Sequence, residues 1–467
     1  MDQVLSNDYS SAAGANEFYT RHRDRWEFLL NSYVGGEEYR NAGYLTRYQL
    51  ESESEYNTRL YTTPLDNQCK SIIATYISFL FRLPADRFYG RLANDPGLDS
   101  FIYDTDWEGR DIDSFMKQAS IWANVFGHSW IIMSKPQSGS ITRADEMAQG
   151  VRPYLNLLTP LTVTDWRWSR RLNGSYELSY FKYVEDSNDS VTVVKEWTKE
   201  LITTSTLDDE KEVIIDRQEV INELGRIPAV ILYAHTSPVR GFGLSTIADI
   251  ADAQKMIYNL TSEVEQAVRL GSHPSLVKTR NTQAGAGAGS IIEMEENLDP
   301  NLKPYVLEFS GQEISSVYTA IDALVNAIDK MANTGAIRAT ETRTMSGVSR
   351  EVEFQLLNAR LSEQADNIEL AEEQLWELYA QYQGTDWDGE INYPDSFAIK
   401  DTDNELDQLI KTRNAVTDPV VIQAVDTEIV ELLDLPVPDN YVVATEPYHV
   451  MPDGTIMPGE SHEEGEQ

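Results

Sequence analysis

Residues 339–384, ATETRTMSGVSREVEFQLLNARLSEQADNIELAEEQLWELYAQYQG, join a polar segment to the longest helical pattern in the chain. The polar part, residues 339–350, has too little apolar content to pack, and its threonines, serines and glycine favour bends over a continuous helix. After it, apolar residues recur at spacings of three and four, which predicts one helix of about 35 residues that ends at Gly384. The apolar positions of this helix are Phe354, Leu357, Leu361, Ala365, Ile368, Leu375, Leu378 and Tyr382.

The predicted loop is mildly basic, whereas the whole protein is acidic. Between Gly335 and Arg350 there are three arginines, of which Arg338 and Arg343 are the first two, and one acid, Glu341. The chain of 467 residues carries 38 Lys and Arg against 76 Asp and Glu, a net charge of -38. Because Lys and Arg supply most non-specific affinity for phosphate, this balance argues against general adhesion to nucleic acid.

Length and composition indicate a globular protein of about three domains or one elongated body. Hydrophobic residues make up 41% of the chain and aromatic residues 10%, enough for a substantial core. The single cysteine, Cys69, excludes an internal disulfide, suits a reducing environment and is expected to be a small buried hydrophobe. The N-terminus lacks the pattern of a signal peptide, and the most apolar segment, residues 71–81, is shorter than the ~20 residues of a membrane span, so we expect a buried helix there.

Two helical stripes precede the loop. The first begins at Ser245 and ends near Gly271, and the second runs from Gln312 to Ile328. Between them, residues 275–311 have strand-like ends around a glycine and alanine segment. We therefore expect two long helices on either side of a small β insert.

The N-terminal half combines helices with a β meander. Helices are predicted over residues 17–30, over 64–83 with Pro64 at its start, and from Asp111 to a stop at Gly127. Residues 161–168, 175–185, 190–200 and 212–221 are predicted antiparallel strands, with 206–211 as a turn, and 229–234 is a buried strand. Trp166 and Trp168 are expected on one face of their strand, and His128 is expected to be an interior or interface residue.

After Asp403 the helical spacing of apolar residues becomes weaker. One or two short helices are predicted up to Leu433, and the Pro, Gly and Glu-rich ending after Leu435 is predicted to be poorly ordered. No Lys or Arg follows Arg413, while twelve Asp and Glu occur between Asp418 and Glu466. A solvated acidic end is the expected result.

This order of parts resembles the portal, or head-tail connector, protein family of tailed bacteriophages. The resemblance extends over roughly residues 60–435 and is one of architecture and local motifs. These are the FGHSWIIMSKP turn at 126–136, the GRIPAVILYA strand at 225–234, the helix after Leu244, the β insert with the second helix, and the Ser346-Gly347-Val348-Ser349 start of the long helix.

The resemblance implies an α+β portal fold. By position it implies a wing over residues 1–243, a first stem helix over 244–270, a clip over 271–310, a second stem helix over 311–334, a tunnel loop over 335–348, a spine helix with a return to the wing over 349–400, a short helical crown over 401–434 and an acidic, flexible tail over 435–467.

The family also implies a function and partners. Portal proteins form a dodecameric ring at one capsid vertex of the virion, assembled in the host cytoplasm, around a channel for packaging and ejecting double-stranded DNA. The ring meets the terminase motor, the major capsid and scaffold proteins and later the tail adaptor proteins, and it involves no membrane.

In this family the tunnel loop touches the passing DNA. The candidate contacts are Arg338, Thr340, Arg343, Thr344 and Ser346. A duplex carries about one charge per 1.7 Å, so a strongly basic channel would hold it, whereas an acidic wall with a few mobile arginines and hydroxyls lets it slide. The alternative is that the two arginines pair with Glu341, Glu351 or acids of a neighbouring subunit.

In the clip, the candidates for contact with the motor and the adaptor are Lys278, Arg280, Glu293 and Glu295. The chain has no P-loop, and residues 285–289, GAGAG, lack the Lys and Ser/Thr that would follow in one. Energy for packaging must therefore come from a partner.

Enzymatic and metal chemistry find little support. Residues 104–111, DTDWEGRD, begin like a calcium loop, but the position that needs a bidentate Glu is Phe115, so the match fails and Asp111 or Asp113 is expected to cap the next helix. The six histidines show no zinc-helix spacing, and none pairs recognisably with Cys69. We expect no catalytic residue, metal or cofactor. One alternative function is a metal-dependent nuclease or phosphodiesterase that uses the carboxylates of residues 104–113. The other is another phage head-tail structural protein, such as an adaptor or scaffold.

Overall fold

A computed structural model describes most of the chain. The described residues are 15–136, 145–146, 149–187, 191–208, 213–272, 275–278, 283–284, 292–293, 299, 305–307, 312–338, 347–394, 396–397, 402–416, 419–433, 448–450 and 456–458. The chain divides into two compact units, residues 1–397 and 398–467. Helices and antiparallel sheets occur together, which confirms the α+β class.

The first unit contains ten of the described α-helices and most of the strands. The helices are α1 (Glu17–Val34), α2 (Gly36–Asn41), α3 (Glu53–Thr62), α4 (Gln68–Leu80), α5 (Leu98–Tyr103), α6 (Ile112–Phe126), α7 (Ala248–Ser272), α8 (Gln312–Met331), α9 (Gly335–Arg338) and α10 (Gly347–Tyr382). The strands are β1 (Asp86–Phe88), β2 (His128–Ser134), β3 (Tyr154–Leu158), β4 (Val163–Arg170), β5 (Tyr176–Ser187), β6 (Val191–Trp197), β7 (Leu201–Asp208), β8 (Val213–Ile221), β9 (Ala229–Tyr233), β10 (His235–Thr236), β11 (Gly243–Leu244), β12 (Ser275–Val277), β13 (Gln283–Ala284), β14 (Ile292–Glu293), β15 (Tyr305–Leu307) and β16 (Glu390–Asn392).

The start of α4 differs from the prediction. Pro64 does not begin it; the side chain of Asn67 accepts a hydrogen bond from the Lys70 backbone N–H at 2.9 Å and caps a helix that starts at Gln68. Pro64 instead follows α3, which ends at Thr62. An asparagine cap satisfies an N–H of the first turn, and here it takes precedence over the proline signal.

The end points of α6 agree with the prediction. The Asp111 carboxylate accepts from the Ser114 backbone N–H at 2.7 Å, and Gly127 ends the helix at φ 99°. A Cβ at Gly127 would lie 2.3 Å from the Gly243 carbonyl oxygen, so the two backbones cross where a side chain cannot fit. This crossing fixes β11 against the turn between α6 and β2.

The core of the first unit surrounds an antiparallel sheet of order β3-β2-β9. Every residue of β2 is buried, Trp130 and Ile131 completely, which is expected for a strand covered on both faces. Helix α6 packs on β2, and α10 packs on β9 through its buried apolar positions such as Leu361 and Ile368. The prediction of one long helix with an apolar stripe is confirmed.

The meander is a five-stranded sheet of order β4-β5-β6-β7-β8. No strand is predicted over β7, and the predicted turn at residues 206–211 begins too early, because the strand continues through Leu207 to Asp208. Its threonines, such as Thr203 and Thr204, are β-branched and favour this conformation. Trp166 is buried in the core and Trp168 packs partly buried against it, with a bulge between Arg167 and Trp168.

Helices α7 and α8 pack on each other. At 25 residues, α7 extends about 37 Å at about 1.5 Å per residue. Between the two helices, β12 pairs with β15 and β13 with β14, both antiparallel. The predicted glycine and alanine tip, residues 285–289, lies outside the described residues.

After α10 the chain returns to the N-terminal part of the first unit. Strand β16 pairs with β1 in antiparallel register, with Asp86 opposite Asn392. Gly384, at φ 71°, follows the end of α10 as predicted. The long helix is therefore attached to the body of the unit at both its buried middle and its far end.

The second unit contains two packed helices, α11 (Thr402–Ala415) and α12 (Pro419–Leu432), connected by an ion pair between Arg413 and Asp426. Strands β17 (Tyr448–Val450) and β18 (Ile456–Pro458) pair antiparallel. The sequence predicted the two helices but no regular structure after Leu435, where these strands lie.

Candidate functional site

The candidate site is the joint between α8 and α10, from which the predicted DNA-contacting segment emerges. Helix α8 ends at Met331, and Asn333 takes the left-handed conformation at φ 52°. The buried Thr334 donates its N–H to the Asp329 carbonyl at 2.9 Å and accepts from the Arg338 N–H at 2.9 Å. These bonds close a tight turn that leads directly into α9.

Arg338 is the only predicted DNA contact within the described residues. Its guanidinium pairs with the Asp329 carboxylate at 2.9 Å and donates to the side-chain oxygen of Gln68. Both members of the ion pair are largely buried, with side-chain exposures of 17% for Arg338 and 7% for Asp329. Pairing with an acid was the alternative role for this arginine, but Asp329 was not among the acids named. Contact with DNA by Arg338 stays a prediction.

Two further side chains hold the end of α8. The Tyr76 hydroxyl of α4 donates to the Ala332 carbonyl at 2.8 Å, and Arg360 of α10 donates to the Met331 carbonyl at 3.0 Å. With its amide oxygen turned toward Arg360, Asn333 also accepts from the Arg360 Nε at 2.9 Å. Carbonyls at a helix end need such partners, so α4 and α10 together fix the position of this joint.

The other tunnel-loop candidates, Thr340, Arg343, Thr344 and Ser346, lie outside the described residues. So do the clip candidates Arg280 and Glu295. Lys278 is exposed immediately after β12, and Glu293 lies in β14, opposite Gln283. Their proposed contacts stay predictions.

The carboxylates of residues 104–111 stabilise their own turn. Asp104 accepts from the Gly109 N–H at 2.8 Å and from Arg152 at 2.8 Å. Asp106 accepts from the Glu108 N–H at 2.9 Å and pairs with Arg110 at 3.2 Å. Among the described residues, no group of three His, Cys, Asp or Glu side chains could hold a metal ion.

Cys69 and His128 lack the exposure of catalytic groups. Cys69 is fully buried, as predicted, and burial raises the pKa of its thiol to about 12. His128 is also fully buried; its Nδ1 accepts from the Gly243 N–H at 3.3 Å, while its Nε2 has no partner among the described residues. Burial lowers the pKa of His128 to about 3, so the ring is neutral at pH 7.

Two surface features were missed by the sequence analysis. One is an open cleft of about 700 Å³ between α1, α6, β3 and β5. The other is a group of exposed arginines and aromatic residues at the end of the β4-β5 hairpin, where the sequence reads WRWSRR at residues 166–171. Interleaved arginine and aromatic residues of this kind are a binding signal in their own right, beyond the packing predicted for the two tryptophans.

Among the described residues, no helix is both long enough and apolar enough to cross a lipid bilayer. The apolar segment at residues 71–81 belongs to α4 and its end, and its residues Ile72, Ile73 and Ile77 are buried in the core, as predicted.

No known protein-family model and no curated protein sequence matches the chain. Among the solved structures with a loose similarity to it are two particle structures. One is described as the virion of a native gene transfer agent particle, with a TM-score of 0.44 and 11% identity over 88% of this chain and 99% of that chain. The other is described as the neck of an empty gene transfer agent particle computed with C6 symmetry, with a TM-score of 0.47 and 11% identity over 87% of this chain and 100% of that chain. Because both TM-scores are low, we draw no functional conclusion from these similarities.

Proposed function

We propose that this protein is a phage-type virion structural protein and, more specifically, a portal protein. In this proposal about a dozen copies form a closed ring at one capsid vertex. The ring is the channel for double-stranded DNA and the docking platform for a packaging motor and tail adaptor proteins. The protein itself performs no catalysis.

The observation that carries the proposal is the succession of elements from α7 to β16. Two long packed helices flank a small β insert, a tight turn follows, and a 36-residue helix then leads back to a strand that pairs with β1. This succession resembles the stem, clip, tunnel loop, spine and wing of portal proteins.

Exposed apolar side chains on α10 support assembly from identical copies. Val352, Leu356 and Leu370 are 52%, 53% and 57% exposed, although the opposite side of the same helix is in the core. Val352 and Leu356 are four residues apart, so they lie on one face. Neighbouring rods in a ring would cover these exposed apolar side chains.

The net charge of -38 fits a channel through which DNA slides. An acidic lining repels phosphates, so the duplex stays near the axis instead of binding the wall. With Arg338 engaged by Asp329, the weak contacts of the proposed tunnel loop fall mainly to Arg343 and the neighbouring hydroxyls.

The test is deletion of residues 340–347 in particles assembled with this protein. We expect rings to form normally and DNA packaging or retention to fall. A second variant replaces the same residues by glycine and alanine in equal number, so that the connection between α9 and α10 keeps its length. Normal packaging by both variants would show that the segment is not the DNA contact.

A further inference from the structure

We infer that neighbouring copies in the proposed ring contact one another head to tail through two surfaces at opposite ends of β5. A cationic patch on one copy meets an acidic cleft on the next. The inference rests on the proposed function, since it names the subunit contact of the ring. It assigns a specific role to the two surface features that the sequence analysis missed.

The cationic patch consists of Trp168, Arg170, Tyr176 and Arg240. The guanidinium carbon of Arg240 lies 4.0 Å from the centre of the Tyr176 ring and 5.7 Å from that of Trp168, and Arg170 lies 5.9 Å from Tyr176. Tyr176 is 48% exposed, and both arginines are exposed.

Neither arginine of the patch pairs with a carboxylate in the part of the chain that the structure describes. The one hydrogen bond of Arg170 goes to the Gly174 carbonyl at 3.2 Å. A guanidinium that stacks on an aromatic ring keeps its N–H edge available for a bidentate carboxylate. The patch therefore presents two oriented, unneutralised positive charges in a protein of net charge -38.

The acidic cleft is the cavity of about 700 Å³ beside the other end of β5. Its floor is apolar and includes Phe115, Trp122 and Phe126. The charged residues that line it are five acids, Glu38, Asp106, Glu108, Glu185 and Asp186, and one base, Arg110.

Part of this acidity is neutralised within the chain. Arg110 pairs with Asp106 and Glu108, and Lys195 pairs with Glu185. Glu38 and Asp186 are exposed and have no cationic partner among the described residues. The cleft thus offers two free carboxylates, which equal the two free arginines of the patch in number and are opposite to them in charge.

The patch and the cleft of one copy cannot contact each other. Tyr176 and Asp186 lie ten positions apart in β5, which corresponds to about 33 Å at about 3.3 Å per residue. A second copy carries both surfaces again, so each contact leaves one patch and one cleft free for the next copy. Such heterologous contacts close into a ring when the rotation fits.

The charge of the protein also favours a second copy as the occupant. Identical subunits of charge -38 repel one another, so a stable contact must place positive charge where acidic surfaces meet. Arg170 and Arg240 supply that charge. A nucleic acid could occupy the patch, but it would be repelled by the cleft.

Charge reversal tests the contact. One variant carries Arg170→Glu and Arg240→Glu, and the other carries Glu38→Lys and Asp186→Lys. We expect each variant alone to lose the ring species in native mass spectrometry, and an equal mixture of the two to restore it, because reversed patches then meet reversed clefts. Arg217→Glu, an exposed arginine on β8, is the matched control and should leave the ring intact.

Cross-linking tests the contact in a protein that still forms it. A variant with Leu172→Cys, in the turn before Tyr176, and Glu185→Cys, beside Asp186, adds two exposed thiols to a chain whose single cysteine is buried, and it keeps both arginines and both free carboxylates of the contact. Oxidation should yield a ladder of covalently joined copies up to the ring, since the two positions are too far apart to join within one copy.

The outcomes separate the two proposals. If the wild-type protein forms rings, but both reversal variants also form them and the thiols give no ladder, then the contact is wrong and the portal proposal stands. If the wild-type protein is only monomeric, both are wrong.

Discussion

Arg338 and Asp329 form a largely buried ion pair of 2.9 Å that connects α9 to the end of α8. The pair lies directly before the segment proposed to touch DNA, and it fixes the turn between α8 and α9. Both partners are close in sequence, but Gln68, which also accepts from Arg338, comes from α4. The joint is therefore part of the core of the first unit.

We expect Arg338→Ala to lower the free energy of unfolding by about 2 kcal/mol, because it leaves the Asp329 carboxylate buried without its partner. Denaturant unfolding measures this change. Lys330→Ala, at an exposed position beside Asp329, is the control and should have little effect. Equal stability of the two variants would show that the ion pair does not hold the joint.

Glu372→Gln should destabilise the protein by about 3 kcal/mol, because the buried Arg87 loses its buried counterion and keeps only the exposed Asp113, at 2.7 Å. Glu372 is fully buried and accepts from Arg87 at 2.6 Å, from the Trp376 indole at 3.0 Å and from the Tyr393 hydroxyl at 2.6 Å.

The adjacent Glu373→Gln is the matched control. Burial and the charges of Glu369, Glu377 and Glu390 raise the pKa of Glu373 above its usual value. Neutralising this side chain removes repulsion, so we expect unchanged or slightly higher stability at pH 7. Thermal unfolding of both variants distinguishes the stabilising charge of Glu372 from the repelled charge of Glu373. A large loss of stability in both variants would contradict this difference.

The buried pair of Glu51 and Arg59 makes stability depend on pH. Hydrogen bonds from Arg59 lower the pKa of Glu51, against desolvation, which raises it. A lowered folded-state pKa gives stability that is fully present above the unfolded value of about 4.3 and is lost as the pH falls through the folded value.

We therefore expect wild type to exceed Glu51→Gln in stability at pH 7, with the difference shrinking below about pH 4. Arg59 also donates to Ser262 of α7 at 2.8 Å, so the pair connects α3 to the middle of α7. Glu53→Gln, at an exposed position in α3, should show no such dependence. A difference that stays constant down to pH 2 would rule out this linkage.

Gly127→Ala should cost more than Gly109→Ala, although both glycines have positive φ, 99° and 86°. At Gly127 a Cβ would lie 2.3 Å from the Gly243 carbonyl oxygen, whereas at Gly109 nothing lies within 4 Å. Backbone strain alone costs about 1 kcal/mol, and the backbone clash adds to it, so we expect a loss of about 3 kcal/mol or more at Gly127. Denaturant unfolding midpoints measure the stability of both variants. Similar losses of stability would mean that the backbones at Gly127 and Gly243 can separate freely.

The long helices were predictable because each buries one apolar stripe, whereas the shorter helices α2, α3, α5 and α9 were not predicted. The positions Leu357, Leu361 and Ile368 identified α10 from spacing alone, and all are buried. The strands were less predictable. Strand β3, with the sequence YLNLL, is too short for a clear alternation, and the middle of β7, LITTSTLD, is a run of threonine and serine without apolar alternation.

The partners of the site residues could not be predicted. Arg338 meets Gln68 across 270 positions of sequence, and Tyr76 reaches Ala332 across 256. Such contacts follow from how α4, α8 and α10 pack, which spacing within one helix does not reveal. The same holds for Arg240, whose ring partners lie on the β4-β5 hairpin.

Imaging of the purified full-length protein by negative-stain electron microscopy decides whether it is a portal-type ring. We expect closed rings of about a dozen copies with an open centre. A uniform population of monomers across the concentration range would contradict the proposed function, and with it the head-to-tail contact.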